Sequence, residues 1–367
     1  MRIGVITHPL RLNYGGILQA YALQRVLQDM GYDSVYIDWL PYRFQWFSIK
    51  TYFIRFLWKL KWLGREEIRV FADYYYYRAY KKINKFSKSN VQIFQIDSFE
   101  QLKENVFDVI VVGSDQIWRP VYINNIEDAY LQFAKDWNIK RIAYAASFGV
   151  DDWSEYSEEK TVVCRNLAQK FDAISVREDS GVALCRNYLG VEAQHVLDPT
   201  MLVDIKHYMS HINSCKKHYP NRMCLAYILD ESDDKSRVLG SIAKQQGYNI
   251  KQWENIDTPS LKKPTVEEWL KGFYDAEFVF TDSFHGCVFS IIFNKPFIAF
   301  GNPGRGMARF NSLLKMFGLE ELLITSVDQF TPELVDRAIS RFSDGSIQQR
   351  LYELREYSYD FLKKALS

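Results

Sequence analysis

Three stretches of this chain set reactive side chains directly after a run of apolar residues. The first is Phe278-Val279-Phe280-Thr281-Asp282-Ser283-Phe284-His285-Gly286-Cys287-Val288-Phe289-Ser290. A buried strand ends in a short polar turn, and an apolar helix begins near His285. Free N–H groups at a helix N-terminus attract anions. Ser283 suits a cap or a phosphate donor, Gly286 lets a ligand approach, and His285 can pass a proton near neutral pH. The plainer alternative is a capping turn with a structural histidine. The second stretch is Val111-Val112-Gly113-Ser114-Asp115-Gln116-Ile117-Trp118-Arg119. Asp115 there can orient or deprotonate a sugar hydroxyl, Ser114 and Gln116 can hydrogen-bond one, and Trp118 can stack on a ring; an ordinary Asp-capped turn is the alternative. The third, Ser175-Val176-Arg177-Glu178-Asp179-Ser180, ends a strand with an arginine able to grip a carboxylate or phosphate through both Nη atoms. An ion pair with a neighbouring acid is the alternative.

Two glycine-rich stretches join them. Asn302-Pro303-Gly304-Arg305-Gly306-Met307-Ala308-Arg309 follows a strand and offers Arg305 and Arg309 to an anion, though it has neither the dinucleotide fingerprint nor the phosphate-loop lysine. Asn13-Tyr14-Gly15-Gly16 opens the first helix, where Asn13, Gly15 and Gly16 leave room for a sugar or phosphate. Ser147 is a further candidate for the same cleft. His207, His211, Cys215 and His218 fall at helical spacing, but one helix rarely supplies a tetrahedral metal set. A packed or solvated helix face is expected, and no metal.

The elements that position these residues read as alternating strand and helix. Residues 2–7 form a strand; a helix follows with Ile17, Ala20, Tyr21, Leu23, Val26 and Leu27 inward, closed by Gly31, and Val35-Tyr36-Ile37-Asp38 is the next strand. Such β-α-β units build parallel sheets. Strands are expected at 107–113, 141–149, 173–177 and 195–199 in a first domain, and at 223–229, 248–250, 278–281 and 296–300 in a second. The expected fold is α/β, with two doubly wound Rossmann-like domains facing a cleft. Residues 1–200 make the first domain, 201–345 the second, and 346–367 a helix that crosses back. Ligands of such sheets bind beyond the carboxyl ends of the strands.

Residues 42–88 interrupt the rhythm with aromatic residues at helical spacing and with twelve Lys or Arg against three Asp or Glu. An inserted helical hairpin is one reading. A basic, aromatic surface that touches anionic membrane or a lipid-linked substrate is the other. Over the whole chain of 367 residues, Lys and Arg (46) balance Asp and Glu (45), which argues against a nucleic-acid partner. No apolar run is long enough to span a membrane. No signal peptide is apparent, and the five cysteines are odd in number and scattered, as expected in a reducing cytoplasm.

Taken together, Asn13-Tyr14-Gly15-Gly16, Gly113-Ser114-Asp115-Gln116-Ile117-Trp118, Ala145-Ala146-Ser147-Phe148-Gly149, Ser175-Val176-Arg177-Glu178, Leu197-Asp198-Pro199-Thr200 and Ser283-Phe284-His285-Gly286 resemble, in order and spacing, the polysaccharide pyruvyl transferase family. The resemblance covers about residues 3–320 and leaves out 42–88. It implies a fold like the GT-B glycosyltransferases, phosphoenolpyruvate as donor, no cofactor, and a sugar or lipid-linked oligosaccharide as acceptor of a pyruvate ketal. The first domain would hold the acceptor and the second the donor. The family's donor-holding arginine in the first domain matches Arg177. Of its Arg-Leu-His triplet only the histidine remains, as His285, because Ser283 stands where the arginine would be; Arg305 or Arg309 is the expected replacement charge. Two other readings stay open: a GT-B-type glycosyltransferase using a nucleotide sugar, and a non-catalytic glycan-binding protein of the same fold.

Overall fold

A computed structural model describes residues 1–39, 72–253, 263–302 and 306–367. The chain forms two parallel sheets. The first has seven strands: β1 (Arg2–Ile6), β2 (Asp33–Asp38), β3 (Ile93–Gln95), β4 (Val109–Val112), β5 (Lys140–Ala146), β6 (Ala173–Val176) and β7 (Gln194–His195), in the order β3-β2-β1-β4-β5-β6-β7. The second has five: β8 (Met223–Tyr227), β9 (Asn249–Gln252), β10 (Phe278–Thr281), β11 (Phe297–Phe300) and β12 (Leu323–Ile324), in the order β12-β11-β10-β8-β9. Every pairing is parallel. Central strands such as Val109–Val112 and Phe278–Thr281 are buried throughout, which is why they read as unbroken apolar runs rather than alternating ones. In both sheets the strand order reverses at the middle, β1/β4 in the first and β8/β10 in the second. Such a reversal opens a crevice at the carboxyl edge.

Helix α1 (Tyr14–Asp29) follows β1. Its buried face carries Ile17, Leu18, Tyr21, Leu23, Val26 and Leu27, and Asn13 caps it by accepting a hydrogen bond from Gly16 N at 3.2 Å. The basic, aromatic segment 42–88 lies mostly outside the described residues. Its described end belongs to α2 (Ala72–Asn90), the connection from β2 to its parallel neighbour β3. From α2, Lys82 Nζ donates to the Lys263 carbonyl at 2.5 Å and lies 3.6 Å from Glu268 in the second domain. Tyr14 also reaches across: its hydroxyl donates to the Pro264 carbonyl at 2.7 Å, and its ring stacks on Trp269 at 5.7 Å.

The last helix, α12 (Ser346–Leu366), joins the two layers. Near its start Gln348 Nε2 donates to the Ile291 carbonyl of the second domain. Further along, Ser358 Oγ accepts from Leu197 N at 3.0 Å, Tyr359 OH donates to the Leu202 carbonyl, and Phe361 meets Tyr144 of β5. Among the described residues, no helix is long and apolar enough to cross a membrane.

Candidate active site at the domain boundary

The polar residues that follow β1, β4, β5, β6 and β7 meet the start of one helix of the second domain, α9 (Phe284–Ile292). At their centre is Asp198. This residue caps a short helix, Pro199–Leu202, where its Oδ1 accepts from Thr200 N at 3.0 Å and Thr200 Oγ1 at 2.6 Å. Its Oδ2 accepts from Arg177 Nη1 at 2.8 Å and Ser114 Oγ at 3.1 Å. Arg177 Nη2 donates to Asp115 Oδ1 at 3.2 Å. His285 Nε2 stands 3.7 Å from the same Asp198 Oδ2, an ion pair when the ring is protonated but too long for a hydrogen bond. Arg177, Asp198, Asp115 and His285 are all buried. Strand geometry therefore brings together groups separated by 170 positions along the chain.

The electrostatics follow from the geometry. Burial alone would raise the Asp115 and Asp198 carboxyls. Arg177 is the leading charge on Asp115, with His8, His285 and Arg309 adding to it; His285, Arg177 and Thr200 act on Asp198. Both acids are thereby held well below the usual carboxylate range. Arg309, on α10 (Ala308–Phe317), is the second buried guanidinium. Burial and repulsion from Arg177 lower its pKa to about 10, so it remains a cation at neutral pH. The two arginines face the same ring: Cζ of Arg177 lies 4.5 Å, and Cζ of Arg309 5.6 Å, from the centroid of Phe284.

Glycines allow this closeness. A Cβ on Gly15 would come within 2.1 Å of His285 Nδ1, so α1 lets the histidine ring lie against its bare backbone. Gly306, with φ +86°, presses on the Gly149 carbonyl and so meets the first domain. Gly286 packs on Thr281 Oγ1, whose own hydrogen goes to the Tyr227 carbonyl. Ser283 accepts from Gly286 N at 3.4 Å and so caps α9. Several polar atoms around the cluster have no hydrogen-bond partner among the described residues: His285 Nε2, Arg177 Nε, Ser147 Oγ, Glu178 Oε2 and His8 Nε2. Buried groups of this kind are normally satisfied, so these atoms mark a place where a polar ligand or water belongs.

The residues singled out in the sequence fall into several groups. His285, Arg177, Asp115, Ser114, Ser283, Gly15 and Arg309 line or support the cluster. Asn13 and Gly16 form the cap of α1. Gln116 Oε1 accepts a hydrogen bond from Arg119 Nη1 at 3.1 Å. Arg305 lies outside the described residues. Trp118 requires a correction. It is fully buried, stacked on Tyr130 at 4.8 Å and donating through Nε1 to the Ala129 carbonyl. It is a core residue with no face for a sugar. Asp198, His8 and Phe284 carry weight that strand-end reasoning missed. Asp-Pro reads locally as a helix start, which hides the second job of Asp198. His207 pairs with Asp29 at 3.0 Å and His211 Nε2 lies 3.2 Å from the Tyr21 hydroxyl.

A family model described as polysaccharide pyruvyl transferase matches residues 13–304, a span that contains the whole cluster except Thr7, His8 and Arg309. The chain belongs to the polysaccharide pyruvyl transferase family. No curated protein matches it. A glycosyltransferase from Rickettsia africae superposes with a TM-score of 0.51 at 8% identity, covering 100% of this chain and 96% of that one. The UDP-GlcNAc 2-epimerase of Methanocaldococcus jannaschii gives 0.47 at 13% identity, covering 97% and 100%. At such identities the likeness concerns the fold, which is GT-B-like. Membership of the family makes the chain a polysaccharide-modifying transferase.

Proposed function

We propose that this enzyme transfers the pyruvyl group of phosphoenolpyruvate to two hydroxyls of a glycan, making a ketal and releasing phosphate. One observation carries the reading: two buried guanidiniums, Arg177 and Arg309, face one phenyl ring beside a histidine at a helix N-terminus. Like charges held together out of water repel, and an anion between or beside them relieves that repulsion. Arg177 is already engaged by Asp198 and Asp115. Arg309 faces Phe284, the neighbour of Ser283, and in this reading it takes the place of the charge that the family triplet carries at Ser283's own position.

In this mechanism, imidazolium His285 gives its proton to the methylene carbon of phosphoenolpyruvate, which becomes a methyl group. Positive charge develops at the neighbouring carbon. A glycan hydroxyl attacks there and returns a proton to the now-neutral His285. The carbon–oxygen bond to phosphate breaks, and a second hydroxyl closes the ketal, its proton leaving with the phosphate. Asp115 is too strong an acid to be an effective base, so its part is to orient the attacking hydroxyl. These steps need no metal. The acceptor is a sugar or lipid-linked oligosaccharide in the synthesis of a surface polysaccharide, met in the cytoplasm, with segment 42–88 bringing the enzyme to the inner face of the membrane.

The test is to incubate the protein with phosphoenolpyruvate and candidate lipid-linked sugars, then measure pyruvate-sized mass gain and phosphate release. Thermal-shift titration with phosphoenolpyruvate against nucleotide sugars runs alongside. A shift with a nucleotide sugar and none with phosphoenolpyruvate would overturn the donor assignment.

A further inference from the structure

We propose that a cavity at the β2–β3 end of the first sheet is a second subsite for the acceptor, holding a neutral sugar unit away from the one that reacts. The proposal rests on the reading that the acceptor is a glycan. The cavity measures about 630 Å³, within the range of small-molecule clefts. It opens past the carboxyl ends of β2 and β3, the edge on which α/β sheets bind ligands. Trp39 follows β2 directly, Phe99 follows β3, and the remaining wall comes from the loop between β4 and β5.

Its walls combine flat rings with hydroxyl-binding groups. Trp39 stacks on Phe99 at 5.4 Å and 25°, Phe99 stacks on Phe133 at 4.4 Å and 4°, and Trp137 meets Phe133 edge-on at 5.7 Å. Trp39 and Trp137, at the two ends of this ladder, are only half-buried. Glu100, Asp128 and Gln132 line the cavity as well. Aromatic faces take the apolar C–H face of a sugar, while carboxylates and amides take its hydroxyls. Asp128 is held in place by Asn125 Nδ2 at 2.7 Å, and burial raises its carboxyl pKa.

The charge of the lining selects the occupant. No Lys or Arg lines the cavity among the described residues, so a phosphate or carboxylate finds no partner and meets two acids instead. An organic cation would want rings enclosing it on several sides, whereas three of these rings stack in one ladder. A neutral sugar fits both the rings and the polar groups. The cavity is also joined to the catalytic cluster. Trp39 Nε1 donates to the Thr7 carbonyl at 3.0 Å, and Thr7 Oγ1 donates to the Ser114 carbonyl at 2.9 Å. Ser114 in turn donates to Asp198. An acceptor longer than one sugar would therefore lie along one continuous edge of the first sheet.

The experiment uses the full chain and saturation-transfer NMR with lactose, cellobiose, maltose and diacetylchitobiose, a set that needs no chemistry to occur. At least one should bind saturably. Trp137→Ala should weaken that binding by about tenfold or more, roughly 1.4 kcal/mol, and Trp137→Phe should restore part of it. Asp128→Asn, a near-isosteric change that guards against misfolding of the tryptophan variant, should weaken it by about threefold or more. The phosphoenolpyruvate thermal shift should be the same in all variants. Failure of every sugar to bind saturably overturns the subsite. So does binding that persists unchanged in Trp137→Ala and Asp128→Asn, or saturable binding of tetramethylammonium where no sugar binds. A missing phosphoenolpyruvate shift with intact sugar binding would instead remove the donor reading and leave the subsite standing.

Discussion

Two buried ion-pair clusters occupy equivalent places in the two sheets, yet only one has the makings of an active site. In the second domain Lys235 Nζ lies 2.7 Å from Asp282 Oδ2 just past β10. Asp282 also accepts from Leu229 N at 2.6 Å and Asp230 N at 2.9 Å, and Lys235 donates to the Asp230 carbonyl. The acid is satisfied within its own domain, by the loop after β8 and by one helix. The Arg177–Asp198–Asp115 cluster sits past β4, β6 and β7, but it crosses the domain boundary, has a second buried cation in Arg309, and is surrounded by polar atoms without hydrogen-bond partners among the described residues. Burial and position at a strand end are shared. A second buried cation and incomplete hydrogen bonding are not, and these features separate a site from a clip.

The sharpest way to break this contrast is His285→Ala. It should retain a cooperative melt and lose about 100-fold or more in turnover, measured by phosphate release, as expected for removal of a general acid. Wild-type turnover would remove His285 from the mechanism. Next, Arg177→Met and Lys235→Met should each destabilise the fold by about 3–5 kcal/mol, because each leaves a buried carboxylate without its counter-ion. Only the first should also abolish the phosphoenolpyruvate thermal shift. If both did, the second cluster would belong to the site as well.

Arg309→Ala should weaken phosphoenolpyruvate by about tenfold, the loss of one charge-assisted contact. A donor affinity equal to wild type would return the role of replacement charge to Arg305.

The smallest effect concerns acid stability. His195, whose Nε2 lies 3.1 Å from both the Arg177 carbonyl and Ser312 Oγ, is half-buried, and burial lowers its pKa. The unfolded chain then binds the proton more readily than the folded one. Its contribution is complete above the ordinary histidine pKa and is lost as pH falls below it toward the folded value. His195→Gln should flatten the slope of denaturant-derived stability below about pH 6.5; an unchanged slope would assign the acid sensitivity elsewhere, for instance to His211, also lowered by burial.

Much of the fold was legible because buried parallel strands announce themselves as apolar runs. The strands β3 and β12, three and two residues long, were not; edge pieces that short leave no pattern. Arg177, Asp115 and His285 were found by one rule, that ligands gather past strand ends. The same rule misled at Trp118, which follows a polar turn but folds back to stack on Tyr130. Asp198 escaped because capping Thr200 explains an Asp-Pro-Thr sequence completely at the local level. Phe284 gave no signal at all, since its neighbours across the boundary come from distant parts of the chain.

The Ser358 Oγ bond to Leu197 N joins the terminal helix to the residue just before Asp198. A separation of the two sheets that carried the terminal helix with the second would strain that bond. Deuterium uptake at the Leu197 amide is therefore a built-in gauge: its rate would report how often the empty enzyme opens there, and its slowing under saturating substrate would show that substrate holds the two halves together.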